Sequence, residues 1–369
     1  TKELIRQIQY SPILQIDATY KLTWNELPVV VFGTSDCNRN FRPFDVAFVS
    51  EDKNSSFYEH LFNSLRSLSI QQFHQPYLPK FIMADGALGI TSAQQKIFSN
   101  AKRLMCWFHM IQKCRAHRNL LTKQQWSEVD KDIHAVQLSF SDDVFNHGIN
   151  LVMNKWRTEP SLAIFCDYFN EQWVEKLRYW YEGSALNLPS INNGCESFNA
   201  KIKRQYTLRN KLPLSSFLPK IELMLADWSK HSEINPFAIC TPITSSIEIA
   251  AYKWATDIDC SSIHHWYGNF YVVPSSNAQI SSSTWLDIYI SRRWFTFNDF
   301  LVWQQSCWLV VSLESCTCPA GLKVYSCKHS VGLGILFNLY QVNDKSRVEA
   351  LGKRKRKGRS KKVSTAYGK

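Results

Sequence analysis

Apolar and polar positions alternate with strand-like spacing over residues 13–20, 27–34 and 44–50, and short polar connections containing Asn25, Glu26, Asn38, Arg39 and Asn40 separate the runs. Connections that short predict an antiparallel meander. At 55–68 the spacing turns helical, with Phe57, Leu61, Leu65 and Leu68 on one side. Ser55 is available as the cap, and Glu51 and Asp52 precede and cap the same helix. Residues 81–84 read as a fourth, short apolar strand ending on Asp85 and Gly86. A helix over 90–98, a strand over 103–107 and a helix from about Phe108 follow. Three strands, helix, strand, helix, strand, helix is the order of an α/β layer with a mixed sheet.

From about 120 to 190 the chain becomes helical and aromatic, with Trp126, Phe145, Trp156, Phe165, Phe169, Trp173 and Trp180 at helical spacings. An all-helical insertion is the simplest account. A turn at 190–194 leads into a helix over 196–205, and a second helix covers 217–229. Strand-like runs return at 266–273, 284–290 and 307–313, so 262–340 reads as a small β-rich segment, with the Ser/Asn-rich stretch 275–283 as a loop. No internal repeat is visible.

At 369 residues and 45% apolar composition the chain is long enough for two domains, or for one large domain with an insertion. The 13 Trp and 22 Phe are read as core filling in preference to a stacking role. No run approaches the roughly 20 apolar residues that cross a bilayer, so no membrane partner is expected. The first residue is Thr1, and no basic start with an apolar segment and cleavage site follows it; the chain reads as a piece of something longer. Eleven scattered cysteines, an odd number, in a chain with a full-sized core favour a reducing compartment. No glycine-rich phosphate loop points to a nucleotide cofactor.

The formal charge is +12, but residues 353–362 hold eight Lys and Arg and no acid, leaving +4 on the rest. Residues 351–369 therefore read as a disordered basic tail. Its Lys353, Arg354, Lys355, Arg356 and Lys357 can engage nucleic-acid phosphates or act as a nuclear address, and a purely solubilising end is the other reading.

Candidate chemistry falls in two places. Near the C-terminus, Cys316, Cys318, Cys327 and His329 make a three-sulfur, one-imidazole set across a short Pro/Gly-containing loop, which suits a tetrahedral structural Zn²⁺; coincidental cysteines in a hairpin are the alternative. Lys323 and Lys328 beside it can face phosphates or a protein. Upstream, Asp17 lies in a strand built for burial, where a carboxylate is costly unless paired or metal-bound. Asp85 stands where the fourth strand ends, the usual place for chemistry in an α/β sheet. Glu196 opens a helix whose first turn can return to the same place, although a first-turn Glu also serves the helix dipole. Three converging carboxylates call for Mg²⁺ or Mn²⁺, and a pair of such ions clamps the oxygens of a phosphoryl displacement. Asp36 and Asp45 are expected to face solvent.

The strings DATYK at 17–21, FIMADGA at 81–87, CWFH at 106–109 and NNGCESFN at 192–199, taken together, resemble the MULE-type transposases of Mutator-like DNA transposons. The cysteine cluster at 314–332 resembles the SWIM-type zinc finger that commonly follows them. The resemblance spans about residues 10 to 335. It implies a ribonuclease H-like core over 10–230 with a helical insertion at about 120–190, and catalytic Asp17, Asp85 and Glu196 holding Mg²⁺ or Mn²⁺. The implied activity is cutting at terminal inverted repeats and joining of the freed 3′-hydroxyls to target DNA, in the nucleus and with synapsis favouring a homo-oligomer. A DNA-recognition module N-terminal to the residues present is also implied. Cys106 and His109 match the family's Cys-x-x-His pair, which either tethers the turn, touches metal or DNA, or is a satisfied buried pair. Cys114 and His117 repeat that spacing two helical turns on and are the weaker pair. Cys37, Cys166, Cys195, Cys240, Cys260 and Cys307 lack ligand spacing and read as packing residues. Two further readings stay open: a domesticated, noncatalytic DNA-binding regulator, and a zinc-stabilised protein-interaction module.

Overall fold

Strands apolar on both sides, Val29–Ser35 above all, leave two faces of the sheet to cover, and the chain covers both. A computed structural model describes residues 1–49 and 54–347. Ser50, Glu51, Asp52 and the basic tail, with Lys353, Arg354, Lys355, Arg356 and Lys357, lie outside the described residues. After a short helix α1 (Lys2–Arg6), strands β1 (Ile13–Thr19), β2 (Val29–Ser35) and β3 (Phe41–Phe48) form the expected antiparallel meander. Helix α2 (Ser55–Phe73) crosses to β4 (Phe81–Ala84), and α3 (Leu88–Ile97) to β5 (Lys102–Met105). Those crossovers make β4 parallel to β1 and β5 parallel to β4, so the mixed sheet has the order β3-β2-β1-β4-β5. Asn54, rather than Ser55, caps α2, its side chain accepting from the Phe57 N–H at 3.1 Å.

Helix α4 (Trp107–Ala116) leads into the insertion: α5 (Lys123–Gln137), α6 (Asp142–Arg157) and α7 (Ala163–Phe169), which continues as a π-helical turn over Asn170–Lys176. A 3₁₀ turn at Glu182–Ala185 returns the chain to α8 (Asn193–Gln205) and α9 (Leu214–Ile234). On one sheet face Leu14, Ile16, Val30, Phe32 and Ile82 pack with Phe62 and Leu65 of α2 and Ile90 of α3. On the other, Val29 and Val31 meet Cys195 and Ile202 of α8 and Phe217 and Trp228 of α9. Strand β2 is consequently buried along its whole length.

Beyond α10 (Ser245–Asp257), a second sheet is built from β6 (His264–His265), β7 (Phe270–Pro274), β8 (Cys307–Val311) and β9 (Ser315–Cys316), all antiparallel and in that order. Between β7 and β8 stand α11 (Ser282–Ser291) and α12 (Phe297–Ser306), and α13 (Pro319–Val324) and α14 (Lys328–Leu336) follow β9. The segment expected to be β-rich is thus mixed, and the strand expected at 284–290 lies inside α11. Ser281 caps that helix by accepting from the Thr284 N–H, and Trp285 and Tyr289 stack four residues apart on its buried side.

Most of the aromatic residues fill the interior as expected, although Trp24 and Phe295 are exposed. Trp156, Phe165, Phe169, Trp173 and Trp180 of the insertion are buried in one cluster with Trp285, Phe300 and Trp303 from α11 and α12. The Trp285 and Trp303 rings stack at 4.8 Å, and each indole N–H donates to the other residue's carbonyl, at 2.8 and 3.1 Å. That exchange satisfies both buried donors, a condition for burying a tryptophan without penalty.

Candidate carboxylate site and metal centres

The parallel pairing of β1 with β4 sets Gln15 opposite Met83, and carrying that register two residues on brings Asp17 level with Asp85. Asp85 Oδ1 accepts from the Ala87 N–H at 3.1 Å, turning the chain into α3. The buried Arg103 guanidinium, on β5, donates to the carbonyls of Ala84, Leu104 and Asp85 and so fixes the ends of both strands. Sequence reasoning passed over Arg103. The available signal was an arginine set against the apolar Leu104 and Met105 of a short strand.

Helix α8 reaches β1 through two asparagines. Asn192, fully buried, donates from Nδ2 to the Ile16 carbonyl at 3.0 Å and accepts from Gln15 Nε2 at 3.2 Å, while its backbone N–H points at Cys106 Sγ. One turn beyond Glu196, Asn199 Nδ2 donates to Asp17 Oδ2 at 2.8 Å. Neither asparagine had been assigned a role beyond its place in the motif. Cys106 thereby serves as a tether between the β5–α4 turn and α8.

Glu196 sits in the first turn of α8, with Oε1 3.6 Å from His109 Nε2 and no hydrogen-bond partner for that buried oxygen. Burial raises the Asp17 carboxyl to about pKa 6; the His109 charge opposes the shift, and the Glu196 and Asp85 charges add to it. The Cys106 sulfur, helped by the Glu196 and Asp17 charges, holds the His109 imidazole up at about 9 against the effect of burial. The Asp17 carboxyl thus feels the charges of His109, Glu196 and Asp85. A hard divalent cation placed between such carboxylates would offset their mutual repulsion. A cavity of 530 Å³ opens beside Asp85 and His109, walled on its far side by Tyr168, Gln172 and Trp173 of the insertion.

Among the described residues, two sets of metal-capable side chains bring their ligand atoms within 4.8 Å of one another: Cys106, His109 and Glu196, and Cys316, Cys318, Cys327 and His329. Asp17 and Asp85 stand outside the first set. In the second, all four residues are buried, and Cys316 Sγ and Cys327 Sγ each lie 3.7 Å from His329 Nδ1. A tetrahedral zinc with ordinary bond lengths gives an S···N edge of about 3.6 Å. The Cys318 and Gly321 N–H groups point at Cys316 Sγ and Cys318 Sγ, at 3.4 and 3.2 Å, which suits thiolate ligands. Residues present thus fit a structural zinc.

Several expectations need correction. Asp36 does not face solvent: its buried carboxylate pairs with Arg42 at 2.7 Å and accepts from the Asn38 and Asn40 N–H groups, because the β2–β3 turn folds over it. Asp45 is partly buried on β3, and burial raises its carboxyl. Cys166, Cys195 and Cys307 are buried as packing residues, whereas Cys240 and Cys260 are exposed and Cys37 is partly so. Cys114 is buried against Met110, and His117 stacks on Tyr168 at 3.9 Å, so that second pair converges on no shared ligand position.

Fold and site together define a mixed α/β domain with carboxylates at the ends of adjacent parallel strands, joined to a small unit holding a Cys₃His cluster. Residues 13–113 match the family model of the MULE transposase domain. That span contains Asp17, Asp85, Cys106 and His109. No curated protein matches the chain.

Proposed function

We propose that this chain is the catalytic unit of a Mutator-like DNA transposase, with a ribonuclease H-like core and a SWIM-type zinc finger. The observation that carries the reading is the MULE match over residues 13–113, supported by the register that carries Asp17 level with Asp85 on β1 and β4 and by the Glu196 charge acting on Asp17. Asp17 and Asp85 would hold Mg²⁺ or Mn²⁺, with Glu196 completing the set. When bound, such ions activate an attacking oxygen and offset charge at a phosphate. Asn199 orients the Asp17 carboxylate, Arg103 fixes the Asp85 turn, and the insertion's wall limits how DNA enters. Cys316, Cys318, Cys327 and His329 would hold structural zinc. DNA as substrate, terminal inverted repeats as its recognised ends, assembly as a homo-oligomer and action in the nucleus all follow from this reading.

The test combines binding and chemistry. Crystals soaked in Mn²⁺ should show metal on Asp17 and Asp85, and the purified chain should nick supercoiled plasmid in Mn²⁺. Asp17→Asn and Glu196→Gln should each lower nicking by on the order of 1000-fold, as expected when electrostatic stabilisation of the transition state is lost. Equal nicking by these variants would leave the regulatory, noncatalytic reading in its place.

A further inference from the structure

Cys106, His109 and Glu196 bring a sulfur, an imidazole nitrogen and a carboxylate oxygen within 4.8 Å of one another at the rim of the carboxylate site. Two features mark this as more than a packed cluster. Glu196 Oε1 is buried without a hydrogen-bond partner, although buried polar atoms are normally satisfied. The 3.6 Å separation of His109 Nε2 from Glu196 Oε1 is long for a hydrogen bond and close to the N···O edge, about 3.4 Å, of a tetrahedral metal site. Backbone geometry pre-sets the three groups: Cys106 is held at the end of β5 by the Asn192 N–H, His109 lies one turn along α4, and Glu196 is fixed through Asn192 and Asn199.

We propose that Cys106, His109 and Glu196 form a zinc-type site of their own, with an open fourth position for water, that takes a thiophilic divalent ion. Softness separates it from the neighbouring carboxylates: a thiolate and an imidazole favour Zn²⁺ over Mg²⁺, and Asp17 with Asp85 favours the reverse. The ligands bind as Cys106 thiolate and neutral His109 imidazole, and any proton they carry passes to solvent. Glu196 belongs to both sets. A zinc bound here withdraws Glu196 from the hard-ion centre, so zinc antagonises Mg²⁺-dependent chemistry; this second consequence alone rests on the function proposed above.

Zinc content separates the two ideas without any activity assay. The chain, loaded with Zn²⁺ and dialysed against a zinc buffer, is expected to retain one more zinc than its His109→Gln variant, and Cys106→Ser should match His109→Gln. Affinity at the site should fall by on the order of 100-fold or more, since even outer-shell losses reach that figure. His109 is partly exposed, so its replacement leaves the fold intact, and an unchanged melting temperature would verify that. Asp85→Asn should keep the wild-type zinc content. An unchanged zinc count in His109→Gln overturns the proposal. Loss of the same zinc from Asp85→Asn also overturns it, by assigning the ion to the carboxylate centre.

Discussion

Asn199 Nδ2 donates to Asp17 Oδ2 at 2.8 Å, joining residues 182 positions apart and locking α8 onto the strand that carries the buried carboxylate. A hydrogen bond to a charged partner contributes more than a neutral one, about 1.5–3 kcal/mol. Asn199→Ala should therefore lower stability by about that much in urea denaturation and weaken Mn²⁺ binding. Asn199→Asp should do worse, because it adds a carboxylate beside Asp17, and Mn²⁺ should restore more stability to it than to Asn199→Ala. Equal responses of the two variants to Mn²⁺ would show that Asn199 serves packing alone.

The Cys₃His cluster is stitched to its own backbone: a Cβ on Gly321 would lie 2.3 Å from the Cys316 carbonyl oxygen. On the proposed reading, zinc holds this close turn together. Structural zinc supplies on the order of 10 kcal/mol of apparent binding free energy, which is folding free energy for the unit around it. Cys318→Ser is expected to abolish hydrogen-exchange protection across β8, β9 and α14 while β1, β4 and β5 keep theirs. Gly321→Ala should reproduce part of the loss with all four ligands present. Protection unchanged in both variants would remove zinc from the fold.

Arg42 and Asp36 form a buried pair, with side chains 7% and 0% exposed, and Arg42 also donates to the Asn235 and Pro236 carbonyls beyond α9. Removing one member strands the other. Arg42→Ala should cost about 3–5 kcal/mol, and Asp36→Ala added to it should recover part of that. The measurement is a double-mutant cycle in urea, and a strictly additive result would deny the coupling.

The five-stranded sheet was legible because each strand is a short, largely apolar run bounded by polar turns. Asp17 stood out as an acid inside such a strand, and Asp85 as one where a strand ends. What escaped notice depends on contacts between distant segments. Asn192 and Asn199 resemble any helix-start residues until the fold brings them to Gln15, Ile16 and Asp17. Asp36 looked solvated because turn aspartates usually are, and only the approach of Arg42 accounts for its burial. Residues 284–290 misled for a local reason: apolar Trp285, Leu286 and Ile288 fit a strand run, and the Ser281 cap just before them decides for helix.

Glu182 stands where the insertion returns to the core, buried, accepting from Gln137 Nε2 at 2.5 Å and Ser190 Oγ at 3.0 Å. Burial raises its carboxyl above the usual 4.5, and those two hydrogen bonds with the Lys323 and Arg39 charges only partly oppose the shift. The folded chain therefore holds this proton to higher pH than the unfolded chain does. Its share of stability is fully present below about pH 4.5 and is lost as pH rises through the folded pKa. A glutamine keeps an oxygen for Gln137 and Ser190 but carries no charge to desolvate. Glu182→Gln should thus match wild type in urea denaturation near pH 4.5 and exceed it at neutral pH, the gap widening as pH rises. A gap of the opposite sign would mean that Lys323 and Arg39 stabilise the ionised carboxylate by more than burial penalises it.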